Sequence, residues 1–118
     1  MSGYAVAHIR EVTMNAEIVT YLEQIDATLA PFGGRFVVHG GEVEPLEGLW
    51  PGHVVVIEFP DRGCARDWYW STAYQSIVRL RTNNSCGDVV LVDGVGLAHK
   101  ATDILASNLK DAPPAVIA

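Results

Sequence analysis

Two short, uninterrupted apolar runs restrict the folds open to this chain more than any other feature. Val54–Ile57 reads VVVI and Val89–Val92 reads VVLV. A strand with one solvent-facing side alternates apolar and polar residues, and neither of these runs does so. Continuous apolar runs of this length are typical of strands that are covered on both faces. The sheet that contains them therefore needs a cover on each side.

The order of the remaining elements indicates the architecture. The pattern predicts four strands, at Tyr4–Glu11, Arg35–His39, His53–Phe59 and Asp88–Asp93. A helix with an apolar stripe from Ile18 to Leu29 follows the first strand, and Thr13 or Asn15 can cap it. A second helical region lies between the third and fourth strands. This order predicts an α+β fold, a ferredoxin-like βαββαβ sandwich with both helices on one face of the sheet.

The second helical region contains two cap signals. Asp61 can cap a helix that carries Trp68 and Tyr69 on its inner side, and Ser71 can cap a second short helix. The residues that would share one face of this second helix are Tyr74, Ile77, Val78 and Arg81. Residues 1–96 are predicted to form the ferredoxin-like domain. Residues 97–118 would be a C-terminal extension with a short helix at Ala101–Leu109 and a loose tail.

Two helices on one face leave the other face of the sheet without a cover. A second copy of the same sheet is the simplest cover, so the sequence predicts a homodimer with its sheets face to face. The alternative is that Ala101–Leu109 folds back over the sheet of its own chain.

Composition excludes several classes of partner. The chain of 118 residues is long enough for one domain, and its net charge of −6 with scattered basic residues argues against nucleic acid. No apolar run approaches the roughly 18 residues that a membrane span needs, and the N-terminus lacks the pattern of a signal peptide. Cys64 and Cys86 have no metal-binding spacing and are expected to be reduced thiols. A soluble, cytoplasmic protein is the expectation.

Several short motifs resemble a known family. They are Gly33–Phe36 (GGRF), Gly40-Gly41, Leu46–Trp50 (LEGLW), Val55–Pro60 (VVIEFP), Trp68-Tyr69, Ser71, Tyr74-Gln75 and Arg81. In this order they resemble domain of unknown function family 1330, of the dimeric α/β-barrel superfamily, over about Tyr4 to Gly94. The resemblance implies the ferredoxin-like fold and a dimer. It implies no catalytic residue, because the family is defined without an assigned function.

The chain departs from the family pattern at two histidines. Family members more often carry arginine where His39 and His53 stand, and Met14-Asn15 replaces the usual Asp-Pro before the first helix. An imidazole titrates near neutral pH whereas a guanidinium is always charged, so a ligand that arginines hold in relatives does not transfer directly.

Four residues are candidates for acid–base chemistry and oxyanion binding. His39 and His53 flank the connection between the second and third strands, and we predict them to be catalytic acid–base groups. The alternative is that both are strand-end residues bonded to backbone. Tyr74 and Arg81 together could hold a carboxylate or enolate. The alternative there is a packed tyrosine and a surface ion pair.

Three further residues are predicted to shape a substrate pocket: Phe36, Glu47 and Trp50. Trp50 has a second interpretation, as a side chain docked over the partner subunit. His8 could point into the same interior. The two predicted catalytic histidines with Glu47 have the ligand types of a metal site but not its spacing, so no metal is predicted. No nucleotide or dinucleotide fingerprint is present, so no cofactor is predicted either.

These observations predict a small-molecule-binding protein. By analogy with enzymes of the superfamily it resembles, it could be a cofactor-independent enzyme that acts by proton transfer on a small aromatic or carbonyl compound, and whether it is an enzyme stays open. The alternative is a non-catalytic dimeric module that binds a metabolite or a protein partner.

Overall fold

The fold is built on one antiparallel sheet, described here from a computed structural model over residues 1–106. The strands are β1 (Gly3–Val12), β2 (Arg35–Val38), β3 (His53–Phe59) and β4 (Ser85–Asp93), in the order β2-β3-β1-β4. The helices are α1 (Ala16–Leu29), α2 (Arg62–Tyr69), α3 (Thr72–Gln75) and α4 (Val78–Thr82), with 3₁₀ turns at Ala30–Phe32 and Ala101–Ala106. The predicted ferredoxin-like α+β fold is confirmed. The end of the predicted terminal helix and the predicted tail lie outside the described residues.

Asn15 caps the N-terminus of α1 and also connects α1 by a hydrogen bond to Asn84, which follows α4. Its side-chain oxygen accepts from the backbone N–H of Ile18 at 3.1 Å, and its amide nitrogen donates to Asn84 Oδ1 at 2.7 Å. Of the two candidate caps, Asn15 is therefore the one used. Four residues of the predicted stripe are buried along α1: Ile18, Tyr21, Ile25 and Leu29. The fifth, Leu22, is 41% exposed, and Thr28 is buried instead.

The second helical region has the predicted caps but one more break than predicted. Asp61 accepts from the N–H of Cys64 at 2.7 Å, and Ser71 accepts from the N–H of Tyr74 at 3.2 Å. The predicted single helix after Ser71 is divided, because α3 ends at Gln75 before α4 begins at Val78. Tyr74 and Arg81, which were predicted to share a face of one helix, therefore belong to different helices.

The helices cover the sheet face on which Ala5 and Ala7 lie. One cross-strand row on this face consists of Phe36, Ile57, Ala5 and Leu91, and the next contains Val55, Ala7 and Val89. Trp68 packs above these rows, and its indole N–H donates to Thr28 Oγ1 at 2.9 Å. In each row the smallest side chain is the alanine of β1, so a groove runs along β1 beneath the helices.

The opposite face, here called the open face, carries a row of four valines. Register pairs Val38, Val56, Val6 and Val90 across all four strands. Val90 is 55% exposed, and Val92 on the same strand is 45% exposed. The apolar runs thus place apolar side chains on both faces of the sheet, as predicted. Over residues 1–106, however, the helices cover only one of these faces.

Two strand boundaries differ from the predictions. β2 ends at Val38, so His39 is the first residue of the connection and not the last of the strand. β4 begins at Ser85 and not at Asp88, because β1 continues past a bulge and pairs Glu11 with Cys86 and Val12 with Ser85. Ser85 therefore belongs to a strand and not to the predicted loop.

Within residues 1–106, no helix has both the length and the apolar character needed to cross a bilayer.

Candidate functional site

A cleft lies between α1 and the helix-covered face of the sheet. Its inner cavity has a volume of about 70 Å³ and is lined by Ala5, Ala7, Phe36, Trp68 and Tyr74, among others. Its outer part, the outer cleft, has a volume of about 280 Å³ and opens at the ends of the strands. Both parts are lined by Ile9, Tyr21, Leu22, His39, Val55 and Arg81, so they lie directly beside each other.

A cluster of three polar side chains lies in this otherwise apolar space. The hydroxyl oxygens of Tyr21 and Tyr74 are 2.7 Å apart, and Tyr74 is only 2% exposed. The guanidinium carbon of Arg81 lies 5.9 Å from the centre of the Tyr21 ring. Arg81 is half-buried and interacts electrostatically with both hydroxyls. Tyr74 and Arg81, which were paired from the sequence, thus lie close together in the structure, with Tyr21 as a third member of the cluster.

Two members of the cluster, Tyr21 and Arg81, are each held in one protonation state. Burial raises the pKa of the Tyr21 hydroxyl, and the neighbouring Tyr74 raises it further, against the smaller lowering effect of Arg81. Burial on its own would lower the pKa of Arg81, but the two tyrosines outweigh it and the pKa is raised overall. Tyr21 therefore remains a neutral phenol and Arg81 a cation across the physiological range.

His39 and His53 lie at the mouth of the cleft. The His39 ring stacks on Phe36 with 4.2 Å between ring centres and 16° between planes, and it lines both the inner cavity and the outer cleft. His53 begins β3 and lines the outer cleft only. The structure thus brings both predicted histidines to one opening, on the path to the tyrosine–arginine cluster.

Gly52 sets the position of His53. It has a left-handed backbone with φ of 85°, and a Cβ there would lie 1.9 Å from the carbonyl oxygen of Ile9. Only glycine combines this conformation with so close an approach to β1. The start of β3, and with it the His53 side chain, depends on the absence of a side chain at Gly52.

Trp50 and His8 lie on the open face of the sheet and not in the cleft. The Trp50 ring stacks on the His8 ring with 4.1 Å between centres and 18° between planes. His8 Nε2 also donates to the carbonyl oxygen of Pro51 at 2.7 Å. The suggestion that His8 points into the interior is wrong, because His8 follows Ala7 and alternate residues of a strand face opposite sides.

The connection between β2 and β3 encloses a separate hollow of about 390 Å³. It is lined by Trp50 and His53 with Gly40, Gly41, Glu42, Val43, Pro45 and Gly52. Glu47 is exposed in the same connection and lines neither this hollow nor the cleft. Of the predicted substrate-binding residues, the cleft therefore brings together Phe36, Tyr74 and Arg81, and it leaves Glu47 and Trp50 outside.

Sequence reasoning missed Tyr21, Ala5 and Ala7. Tyr21 was read only as part of an apolar stripe, although a buried tyrosine in such a stripe needs a partner for its hydroxyl. The two alanines gave no signal by themselves. Their effect depends on the larger residues that flank them in neighbouring strands.

Among residues 1–106, no group of three or more histidine, cysteine, aspartate or glutamate side chains is arranged to hold a metal ion.

The fold and the cleft define a class: a ferredoxin-like α+β domain with an apolar cleft under its helices and a tyrosine–arginine cluster inside it. The chain belongs to the family described as Domain of unknown function (DUF1330), whose family model matches residues 2–95. The resemblance noted from the sequence motifs is confirmed. No curated protein sequence matches the chain.

Three solved structures have a similar fold. A protein of unknown function from Rhodopseudomonas palustris has a TM-score of 0.60 and 14% identity, over 80% of this chain and 83% of that one. SnoaB, a cofactor-independent oxygenase from Streptomyces nogalater, has a TM-score of 0.50 and 13% identity, over 84% and 96%. An antibiotic biosynthesis monooxygenase has a TM-score of 0.50 and 20% identity, over 81% and 100%. At these identities the likeness shows the fold alone.

Proposed function

We propose that this protein binds a small organic molecule in the cleft and transforms it by proton transfer without a cofactor. The observation that carries the proposal is the convergence of Tyr21, Tyr74 and Arg81 in a cavity whose other lining residues, apart from His39, are apolar. Proteins bind and orient small ligands in apolar pockets of this kind, by means of a few converging polar groups. The fold of a cofactor-independent oxygenase is a supporting analogy.

The proposed roles follow from position in the cleft. His39 is the stronger candidate for the base, because it lines both parts of the cleft, and His53 is an acid–base group at the mouth. The negative charge that develops on a substrate oxygen after proton removal is stabilised by Arg81 and a tyrosine O–H. Phe36 presents a flat apolar surface beside His39, which suits an aromatic or carbonyl compound.

Hydrogen–deuterium exchange tests this function. A thermal-shift screen of small aromatic ketones, phenols and carboxylates first identifies a ligand that raises the melting temperature. The ligand is then incubated with the protein in D₂O, and loss of its acidic C–H signal is followed by NMR. We expect His39→Gln to abolish the exchange and leave binding intact. His99→Gln, outside the cleft, serves as the matched control.

Two outcomes separate the candidate functions. A ligand that binds without exchange above its rate in buffer favours the alternative, a non-catalytic module that binds a metabolite. A screen in which no compound stabilises the protein contradicts both.

We also propose that the protein is a homodimer that pairs the open faces of two sheets. The support is the row of valines that ends in Val90, with half of that side chain in contact with solvent. Exposed apolar rows on a sheet are costly in water and are commonly covered by a second subunit. Trp50 and His8 border the same face, so docking of Trp50 near the partner fits this arrangement.

Light scattering coupled to size-exclusion chromatography tests the dimer. The full chain at micromolar concentration is expected to have the mass of two copies, and Val90→Lys to have the mass of one with an unchanged far-UV spectrum. Val19→Lys, on the exposed side of α1, is the control and should remain dimeric. A monomeric wild-type chain would make the proposal wrong.

We further infer a cytoplasmic location. Cys64 and Cys86 are free thiols, and the cytoplasm is the compartment that keeps thiols reduced. Fractionation of cells that express the chain tests this, and recovery from an oxidising compartment would contradict it.

A further inference from the structure

Arg81 is a cation with no carboxylate partner in the part of the chain that the structure describes. Three other arginines form ion pairs at the surface: Arg10 with Asp88, Arg35 with Glu58 and Arg62 with Asp93. Arg66 and Arg79 are exposed and hydrated. Arg81 is half-buried, and within residues 1–106 it forms no ion pair. A half-buried charge is costly unless an opposite charge compensates it.

The described walls of the cleft contain no carboxylate that could supply that compensation. Among residues 1–106, no aspartate or glutamate lines the inner cavity or the outer cleft, although the whole chain has 14 acidic residues and a net charge of −6. The acidic residues that the structure describes are elsewhere. The two tyrosine hydroxyls offset the burial of Arg81 but carry no charge, so a negative charge opposite Arg81 would have to arrive with the ligand.

The tyrosine pair leaves one hydroxyl proton free to donate. Two phenols bring two O–H protons, and the 2.7 Å bond between Tyr21 and Tyr74 uses one of them. The other proton is left to donate to a third group. Since the guanidinium of Arg81 has only donors, the polar cluster as a whole offers donors to a ligand oxygen.

The apolar part of the cleft limits what accompanies that oxygen. The inner cavity of about 70 Å³ exists because Ala5 and Ala7 are small, whereas the residues paired with them on the two neighbouring strands are larger. Phe36 and Trp68 complete its walls. A second negative charge on the ligand would have to lie among these apolar groups, which is unfavourable. A compact hydrocarbon or aromatic body is favourable.

We propose that the substrate class of the cleft is the small hydrophobic monocarboxylic acids, bound as anions with the carboxylate on Arg81 and the tyrosine pair. The apolar body of the acid extends into the cavity over Ala5 and Ala7. This inference rests on the proposed function, because it assigns a charge to the ligand that the cleft would bind.

Acid–amide pairs of equal shape test the inference on the full chain. The probes are benzoate with benzamide and phenylacetate with phenylacetamide, titrated to about 10 mM and followed by calorimetry or by NMR shifts of cleft residues. We expect each acid to bind at least about tenfold more tightly than its amide, since a charge-assisted hydrogen bond replaces a neutral one. This contrast is measured on the wild-type chain and does not depend on any variant.

Two variants locate the contacts, and a third is the control. Arg81→Met should lower acid affinity by about tenfold or more and leave amide affinity unchanged. Ala7→Leu should remove binding of both compounds by filling the cavity, with Arg81 in place. Arg79→Met removes the same charge from an exposed position of the same helix and should change neither affinity.

The outcomes separate this inference from the proposed function. Equal binding of acids and amides, or an acid preference that survives Arg81→Met, overturns the monoacid inference and leaves a small-molecule site. Binding of neither acid, when the thermal-shift screen has found a neutral ligand, also overturns the inference alone. Failure of every compound in both experiments overturns the inference and the proposed function together.

Discussion

The hydroxyls of Tyr21 and Tyr74 form a 2.7 Å hydrogen bond that joins α1 to α3 across 53 residues of sequence. Both side chains are buried, at 7% and 2% exposure. Because neither hydroxyl has free access to water, each depends on the other and on Arg81 for its hydrogen bonds.

Phenylalanine substitutions measure this dependence. Tyr21→Phe and Tyr74→Phe should each lower the free energy of unfolding by about 1–2 kcal/mol, because each leaves the remaining hydroxyl short of a partner. The double variant should cost less than the sum, with a coupling of about 1 kcal/mol in urea denaturation. Strict additivity of the two losses would show that the bond does not contribute.

Gly52 should be intolerant of any side chain. Gly52→Ala places a Cβ 1.9 Å from the Ile9 carbonyl oxygen in a left-handed conformation, so we expect a loss of at least about 2 kcal/mol of stability. It should also shift the NMR signals of His53. Gly41→Ala, in the same connection with no atom within 4 Å of the new Cβ, is the matched control and should change stability by less than about 0.5 kcal/mol. Equal tolerance of both would refute the close approach.

The thiol of Cys64 should react slowly. The hydrogen bond that the Cys64 thiol donates to the Asp61 carboxylate is the largest cause that raises the pKa of this thiol, followed by burial, while Cys86 is exposed. At mildly alkaline pH, iodoacetamide should therefore modify Cys86 before Cys64, as followed by mass spectrometry.

Two substitutions identify the source of this effect. Asp61→Asn keeps a capping oxygen but removes the negative charge, so it should speed modification of Cys64. Asp67→Asn removes a charge that contributes less to the pKa of Cys64, and its effect should be smaller. A Cys64 rate that is unchanged in Asp61→Asn would exclude the carboxylate as the cause.

Glu58 on the open face should make stability depend on acidity. Hydrogen bonds from Ser2 and Tyr4, with a smaller contribution from Arg35, hold the pKa of Glu58 below its ordinary value of 4.5. A carboxylate whose pKa is lower in the folded state stabilises the fold above its unfolded pKa, and this contribution is lost as the pH falls through the folded pKa.

Glu58→Gln should therefore flatten the decline of the urea midpoint between about pH 5 and about pH 3, compared with wild type. The pKa of Asp61 is lowered as well, chiefly by its bond to the N–H of Cys64, so part of the decline should remain. Parallel curves for Glu58→Gln and wild type would contradict this role.

The architecture could be predicted because its signals are local. Continuous apolar runs, a periodic stripe ending at Leu29 and caps at Asn15, Asp61 and Ser71 each specify an element without reference to the rest of the chain. The order of those elements then leaves few topologies. The strand ends were less predictable, because β4 extends to Ser85 only where a long β1 provides hydrogen-bond partners.

The site was predictable only in part, since it depends on which side each residue faces. His8 was misplaced because a strand shifted by one residue exchanges its two faces, and the sequence of β1 does not fix that choice. Tyr74 and Arg81 were paired on the assumption of one helix, and the structure brings them together through two. The location of Trp50 follows from the close contact of Gly52 with β1, which no local pattern indicates.

The connection from β2 to β3 touches both sides of the sheet within four residues. Trp50 lies against His8 on the face that another molecule can reach, and His53 stands at the entrance used by a ligand. Pro51 and Gly52 join them. The carbonyl oxygen of Pro51 accepts a hydrogen bond from His8, and Gly52 lies in close contact with β1, so this short segment is held in place at both residues. A side chain at residue 52 is therefore expected to displace both the Trp50 indole on one face and the His53 imidazole at the cleft.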